Sequence, residues 1–403
     1  MLKPKLSGII PHKLSVLLPH IVSGIIIVCV SASSVLFYQQ LVKLQAELRI
    51  SRSQEGKTRT QLTDIQKDYT DLKNQDQIVI NKKLKEEIDN IQKTYKDAVS
   101  IYEKLLDLKI TAKNVKTDKY DELFSESLKH LSERNYASAE SELKQLADGI
   151  KQEQDKIAAT FVIPDNVPTK NAAPGSGYSR QQVQSDVGTF LVDIISADLS
   201  STRVIVDTAS DGDCRDNCPV LSLGDYVSRN GAYAGINGSY FCPATYPSCV
   251  GKTNSFDLLV MNKNKKYFNS DNNVYSTNPA VIFGGGWVRF VGRALEWGRD
   301  TGVDGVLSNF PLVLSGGNIA FGGNDDPKMG SKGTRTFVGS KGNTVYIGVV
   351  HNATVAEGAH VLKTLGLENA INLDSGGSTA LWSGGYKVGP GRNIPNAILF
   401  IRK

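Results

Sequence analysis

The sequence predicts an α+β domain, a mixed sheet with a few helices, preceded by a transmembrane helix and a long α-helical coiled-coil stalk. Three observations lead there. Of the 37 glycines among 403 residues, 6 precede residue 180 and 31 follow it. Glycine disfavours helix interiors and marks turns and bulges. The first 179 residues can therefore be helical, while the rest reads as a turn-rich domain containing strands. The second observation is the nearly uncharged run Leu14–Phe37, and the third is a three-and-four stepping of apolar residues that begins at Leu41.

Composition narrows the function classes. A hydrophobic share of 40% with 22% charged residues excludes wholesale disorder. The net charge is +5, divided as +3 before residue 180 (26 Lys and Arg against 23 Asp and Glu) and +2 after it (20 against 18). Neither part is a strong polyanion binder, so no nucleic-acid partner is expected. Only five His and five Cys are present, with no zinc-type spacing.

The apolar run has its heart at Ile21–Val30 and is long enough for a bilayer, which takes about 20 residues. Pro19 and His20 weaken its first turns. Lys3, Lys5 and Lys13 precede it, so the positive-inside tendency makes 1–13 a cytoplasmic tail, 14–38 a single membrane span, and places the rest outside. A cleaved signal peptide ending at Ser31-Ala32-Ser33 competes with this reading. A lipobox ending at Cys29 is weaker, because Val28 is large for its position. The run is long for a signal peptide and flows directly into a helix, which favours the uncleaved anchor. Cys214, Cys218, Cys242 and Cys249 form an even set in an exported domain and predict two disulfides. The sequence leaves all three connectivities open, and free buried thiols compete with them.

Residues 39–110 read as the stalk. One seam is Leu41, Leu44 and Leu48, then a polar gap at Ser51, Glu55 and Thr58, then Leu62, Ile65, Tyr69 and Leu72. A second runs Leu84, Ile88, Ile91, Tyr95, Ala98, Tyr102 and Leu105. They are one residue out of phase near 75–80, a slip expected to alter supercoiling without ending the helix. At 1.5 Å per residue the stalk reaches roughly 100 Å. Its function is to space, and through a coiled coil to homo-oligomerise, the outer domain; a monomeric helix folding back on its neighbour is the alternative. Residues 118–158 predict a helical hairpin. Leu123, Phe124, Leu128 and Leu131 face Ala137, Ala139, Leu143, Leu146 and Ile150 across a turn at Glu133–Tyr136. This resembles a single tetratricopeptide-type pair, too few for a solenoid. Pro164, Pro168, Pro174, Gly175 and Gly177 give 160–179 a linker composition.

Residues 180–403 hold the β-type runs Gly188–Asp198, Arg203–Thr208, Ala280–Phe283, Trp287–Val291, Thr344–Val350 and Ala397–Ile401. Helices are expected at Leu223–Asn230 and Ala356–Leu365, the latter closed by Gly366. Three segments end apolar runs in small residues and one strong polar group: 233–241, 333–339 and 370–381. That pattern sets side chains at strand ends where a ligand can approach the backbone.

These segments resemble the signatures of the phosphodiester glycosidase family, whose founding activity is that of N-acetylglucosamine-1-phosphodiester α-N-acetylglucosaminidase. The elements are Ile236-Asn237-Gly238-Ser239-Tyr240-Phe241, Arg335-Thr336-Phe337 and Asn372-Leu373-Asp374-Ser375-Gly376-Gly377-Ser378, with the ending Arg392–Ile398. The resemblance covers about 186–403. Ser239 and Ser375 stand where the family pattern has glycine.

The resemblance implies a hydrolase acting on a sugar-1-phosphate diester, here in envelope or extracellular glycans. Cleavage on the sugar side needs a carboxyl group for protons or oxocarbenium-like charge and donors for the phosphate. Asp374, after an apolar strand, is the candidate for the first task, and Arg335 is the candidate phosphate clamp. His351, at the end of a strand, is a third catalytic candidate as proton carrier. Asn237, Gly238, Tyr240, Thr336, Asn372, Gly376, Gly377, Ser378 and Asp198 are the substrate-binding candidates. Each has a structural alternative: a turn-capping Asp, an ion-paired Arg, a plain Asn-Gly turn, a core Tyr. No metal site or cofactor is expected, although the adjacent carboxylates of Asp325 and Asp326 leave room for a divalent cation such as Ca²⁺. The competing function is a non-catalytic envelope protein that binds glycan or acts as a scaffold through the 118–158 hairpin.

Overall fold

The computed structural model describes residues 14–74, 76–112, 114–269 and 276–403. The basic tail with Lys3, Lys5 and Lys13 lies outside the described residues. The chain divides into two units, 1–89 and 90–403.

The described residues of the first unit are helical. Helix α1 spans Leu14–Lys73 and α2 spans Asp76–Thr111, so α2 continues into the second unit. The expected uninterrupted stalk is thus two helices. The break falls at the polar segment around Asn74 and Asp76, residue types whose short side chains compete for backbone hydrogen bonds and favour caps. The apolar part of α1 is long and apolar enough to cross a membrane. Its side chains from Gly24 onward are exposed, as are the seam residues Leu44, Leu48, Leu62, Ile65 and Tyr69.

In the second unit the end of α2 does not continue an open seam. It packs with α3 (Asp118–Ser132) and α4 (Tyr136–Ala159) as a small helical bundle. Ala98, Leu105 and Leu108 of α2 are buried with Tyr120, Leu131, Ala139, Leu143, Leu146 and Ile150. The hairpin is where the sequence puts it, but Leu128 and Ala137 face outward. Their places are taken by Tyr120, whose hydroxyl donates to the Gly149 carbonyl at 3.0 Å. A Cβ on Gly149 would lie 2.6 Å from the Tyr120 ring, so this helical glycine makes room for it.

The expected linker is instead an ordered strap on the β domain. Lys170 N donates to Gln182 O, and Gln181 Nε2 donates to the carbonyls of Lys170 and Ala172. Loop composition describes flexibility only when the backbone has no partners, and here strand β1 supplies them.

The β domain holds seventeen strands among the described residues. Sheet one follows the order β1 (Gly177–Ser185), β2 (Gly188–Asp198), β13 (Thr344–Ala353), β12 (Gly333–Lys341), β14 (Asn369–Asn372), β10 (Leu312–Ser315) and β11 (Asn318–Ile319). Sheet two is β16 (Tyr386–Val388), β15 (Leu381–Ser383), β4 (Ala234–Asn237), β17 (Asn396–Arg402) and β3 (Thr202–Thr208). Sheet three is β6 (Tyr267–Phe268), β5 (Val260–Met261), β9 (Gly305–Ser308), β7 (Ala280–Phe283) and β8 (Val288–Val291). The expected mixed sheet is replaced by antiparallel pairing between all of these strands. Two-residue turns explain it for neighbours such as β1–β2 and β12–β13, since parallel pairing needs long crossovers. β1 escapes sequence reading because Ser179-Arg180-Gln181-Gln182 is polar, with only Gln181 and Val183 buried.

Helix α5 (Leu223–Asn230) begins at a Ser222–Asp225 capping box and ends at Gly231 with φ +59°. Helix α6 (Val355–Thr364) begins at a Thr354–Glu357 box. One central core is shared by all three sheets, with Ile347, Ile398 and Val281 among its members. α6 covers the other face of sheet one, and α5 that of sheet two. Period-two alternation follows: Val338 enters the central core while Phe337 faces α6.

Candidate functional site

The site forms where the ends of β12 and β14 in sheet one meet those of β4, β15 and β17 in sheet two. The chain leaving β14 is stitched to both. Leu373 N donates to Thr336 O at 2.9 Å and Asp374 N to Gly238 O at 3.0 Å. The Asp374 carbonyl accepts from Asn237 Nδ2 and from the Thr336 hydroxyl. Asn237 Oδ1 accepts from Ala380 N at 3.1 Å, tying the far side of the same loop. Asn237 and Thr336 are fully buried. They hold the Asp374 backbone from opposite sheets. Gly238 is obligatory by contact, since its Cβ would lie 1.7 Å from Asn396 Oδ1. The two serines at expected glycine positions spend their hydroxyls internally. Ser375 Oγ accepts from Thr336 N and donates to Leu373 O, and Ser239 Oγ accepts from Asn396 Nδ2.

Asp374 is half-buried at the start of a 3-10 turn, Gly376–Ser378. Loss of solvent around its carboxyl pushes its pKa up to about 6, and Asp107 adds to the rise. A hydrogen bond from Ser378, the Arg392 guanidinium and the Ser375 amide pull the other way. Ser375 N donates to Asp374 Oδ1 at 2.9 Å. Arg392 lies against the turn. Its N donates to Gly377 O at 2.8 Å, and a Cβ on Gly377 would sit 2.2 Å from its Nη2. Gly377 is therefore what leaves room for the Arg392 guanidinium against this turn.

Asn372 and Tyr240 meet on the other flank. Asn372 Nδ2 donates to the Tyr240 hydroxyl at 2.7 Å, and the Tyr240 ring stacks edge-on against Phe310 at 5.0 Å. Burial pushes the Tyr240 phenol well above its usual range. Tyr246 stands nearby in the loop closed by the Cys242–Cys249 disulfide, with the Arg392 guanidinium 5.4 Å from its ring centre. Cys214 pairs with Cys218, which selects one of the three connectivities.

Asn237, Gly238, Tyr240, Thr336, Asn372, Asp374, Gly376, Gly377 and Ser378 are thus brought together. His351 and Asp198 have their polar contacts elsewhere, while the Arg335 charge still reaches the Tyr240 phenol although its N–H groups are engaged with backbone. Alternation along β12 turns Arg335 to the α6 face, where it donates to the carbonyls of Ala353, Lys328 and Ser331. His351 Nε2 contacts buried Asp193 at 2.7 Å, Asp193 also accepts from the Tyr178 hydroxyl at 2.5 Å, and Phe161 stacks on the His351 ring. Asp198 pairs with Thr344, at the other end of β13 from Arg335's partner Val350. Its carboxylate caps a turn through Ser200 N at 2.7 Å. Asp326 caps the turn Pro327–Gly330 by accepting from Lys328 N at 2.8 Å.

Sequence reasoning gave no role to Arg392, Asn396, Asn309 or Tyr246. Arg392 and Asn396 stood within a segment singled out by resemblance, which was the available signal. Asn309, which links Tyr240 N and Asn372 O, had none.

Residues 230–401 match the family model described as phosphodiester glycosidase. No curated protein matches the chain. Among solved structures, a hypothetical protein from Synechocystis is similar at 13% identity and TM-score 0.42, covering 56% of this chain and 62% of its own. This chain thus spans less than two thirds of that protein. The catalytic domain of zebrafish N-acetylglucosamine-1-phosphodiester α-N-acetylglucosaminidase, auto-inhibited by its pro-peptide, is similar at 15% identity and TM-score 0.45, covering 59% of this chain and 87% of its own. A Burkholderia pseudomallei protein gives 11% and 0.37, covering 53% and 74%. With the matched segment enclosing β4, β12, β14 and the Asp374 loop, residues 230–401 of this chain are a phosphodiester glycosidase-family domain.

Proposed function

We propose that this protein is a membrane-anchored hydrolase that cleaves the sugar–phosphate bond of a sugar-1-phosphate diester in envelope or extracellular glycans. The observation that carries this reading is a carboxyl group with pKa near 6, Asp374, set beside a guanidinium, Arg392, on a glycine-rich turn. A group titrating there exchanges protons with water or a leaving oxygen near neutral pH. Arg392 and the amides at the head of the turn answer the charge on the phosphate. Asn237 and Thr336 hold the Asp374 backbone and so fix the carboxyl against both sheets. The phosphate clamp assigned here is Arg392 rather than Arg335, whose Nε and Nη2 already serve backbone carbonyls. Helix α1 supplies the anchor, with the N-terminus on the cytoplasmic side and the β domain outside; the exposed apolar seam of α1 suits self-association.

The test is sugar release by the detergent-solubilised full chain from a GlcNAc-1-phosphate diester and a panel of other sugar-1-phosphate diesters. Asp374→Ala is expected to lower kcat/KM by about a thousandfold, and Arg392→Ala to raise KM on the order of tenfold or more. Full turnover in folded Asp374→Ala would refute the assignment. Intact substrates across the whole panel would favour glycan binding without catalysis.

A further inference from the structure

Asp107 reaches the candidate site from α2, outside the family-matched segment. It stands 285 residues from Arg392 in sequence, yet its Oδ1 accepts from Arg392 Nη2 at 3.0 Å. Its Oδ2 accepts from the Tyr246 hydroxyl at 2.5 Å. Glu103, one turn earlier on the same helix face, accepts from Ser248 N at 3.1 Å and is itself buried. Leu105 and Leu108 are buried in the helical bundle with α3 and α4, so the helix is held on both sides. The Arg392 Nε is also buried, with no hydrogen-bond partner among the described residues. A buried guanidinium N–H without a partner, packed against Gly377, leaves one donor of Arg392 unspent at this site.

We propose that Asp107 is a positioning and specificity residue of this site: it holds Arg392 and Tyr246 in place and restricts the site to phosphate groups bearing one negative charge. This rests on the reading that the site takes a sugar phosphate. The charges acting on Asp374 are Arg392 and Asp107, the Tyr240 and Tyr246 phenols are neutral at physiological pH, Arg335 and Asp326 act on Tyr240, and Lys328 lies 5.3 Å from the centre of the Tyr246 ring that Arg392 also packs on. Among these groups it is Asp107 that pairs with Arg392 and offsets its charge. A phosphodiester brings a single negative charge. In hydrolysis, water oxygen bonds to the anomeric carbon as the bond to the phosphate oxygen breaks, and the proton the water gives up passes through Asp374 to the released phosphate or to solvent. The electron pair leaves with the phosphate, and the sugar keeps a hydroxyl. The released phosphomonoester has a second pKa of about 6, so it becomes a dianion at neutral pH. Beside Asp107 that dianion is disfavoured, which admits substrate and expels product.

The experiment is binding of two non-cleavable probes, diethyl phosphate and ethyl phosphate, to the full chain in detergent at about pH 7.5, where the second is mainly dianionic. The wild type is expected to prefer the diester. Asp107→Asn is expected to shift the affinity ratio about tenfold toward ethyl phosphate, and Asp107→Glu to restore it. Lowering the pH to about 5, where both probes carry one charge, should shrink the difference between wild type and Asp107→Asn. Should the Asn variant fail to fold by circular dichroism, Asp107→Ser gives the same readout. An unchanged ratio in a folded variant overturns the proposal and leaves the enzyme reading standing. Failure of the wild type to bind either probe overturns both. A shifted ratio in a protein that releases no sugar from any diester upholds Asp107's role and removes the reaction.

Discussion

Asp374 sits between opposing influences, and its titration is the measurable outcome. Its pKa of about 6 implies that activity bends near that pH, and that Arg392→Gln, which removes a charge pulling the value down, moves the bend upward. A pH–rate profile of the two proteins checks this. The sign for stability follows from the same shift. The folded value lies above the unfolded one of 3.8, so the contribution is full below about pH 4 and is lost as pH rises through about 6. Denaturant midpoints of Asp374→Asn should lack that fall between pH 4 and 7 relative to wild type. Gly377→Ala is predicted to displace Arg392 and reproduce much of the Arg392→Ala defect, because the added Cβ meets Nη2 at 2.2 Å. Kinetics of the two variants, with circular dichroism to confirm folding, decide it. Asp374, Asn237 and the glycine turn were legible in sequence because they interrupt apolar strands with polar and small residues. The placement of Arg335 was legible only in part. The alternation that turns it away from Thr336 is visible in the sequence, but which face meets the site depends on sheet two.

At the scale of elements, local chemistry marks helices well. The Ser222–Asp225 and Thr354–Glu357 boxes and Gly231 and Gly366 bracket α5 and α6 close to where the sequence puts them. It marks polar edge strands poorly, as β1 shows. The helical bundle gives a prediction against the usual rule. Alanine for glycine inside a helix commonly gains about 1 kcal/mol. Gly149→Ala should instead cost about 1–3 kcal/mol, since its Cβ would press within 2.6 Å of the Tyr120 ring. Thermal denaturation should show the loss in the wild-type background and its disappearance in Tyr120→Ala.

For the whole molecule, the sequence conveyed the order of parts but not their contacts. The stalk periodicity is real, yet Ala98, Leu105 and Leu108 spend it on α3 and α4, and the Pro-rich strap is bound along β1. Both outcomes depend on partners distant in sequence. The division at residue 89 predicts that limited proteolysis near Asn74, where α1 ends, releases a folded C-terminal fragment free of the apolar helix. Retention of sugar release by that fragment would confirm it, and aggregation on cleavage would count against it.

The position of β17 has a temporal consequence. It pairs with β3, some 190 residues earlier, and with β4, so this inner strand of sheet two is translated long after both of its neighbours. Such distant pairing is slow to form. On a ribosome, β3 and β4 emerge without the neighbour that completes them, and their open edges must be kept from other chains until β17 arrives. Closure of sheet two is thus a late event in synthesis. A polypeptide lacking Asn396–Arg402 would leave β3 with no strand partner in sheet two and β4 paired on one side only, with β15, two open edges exposed to quality control.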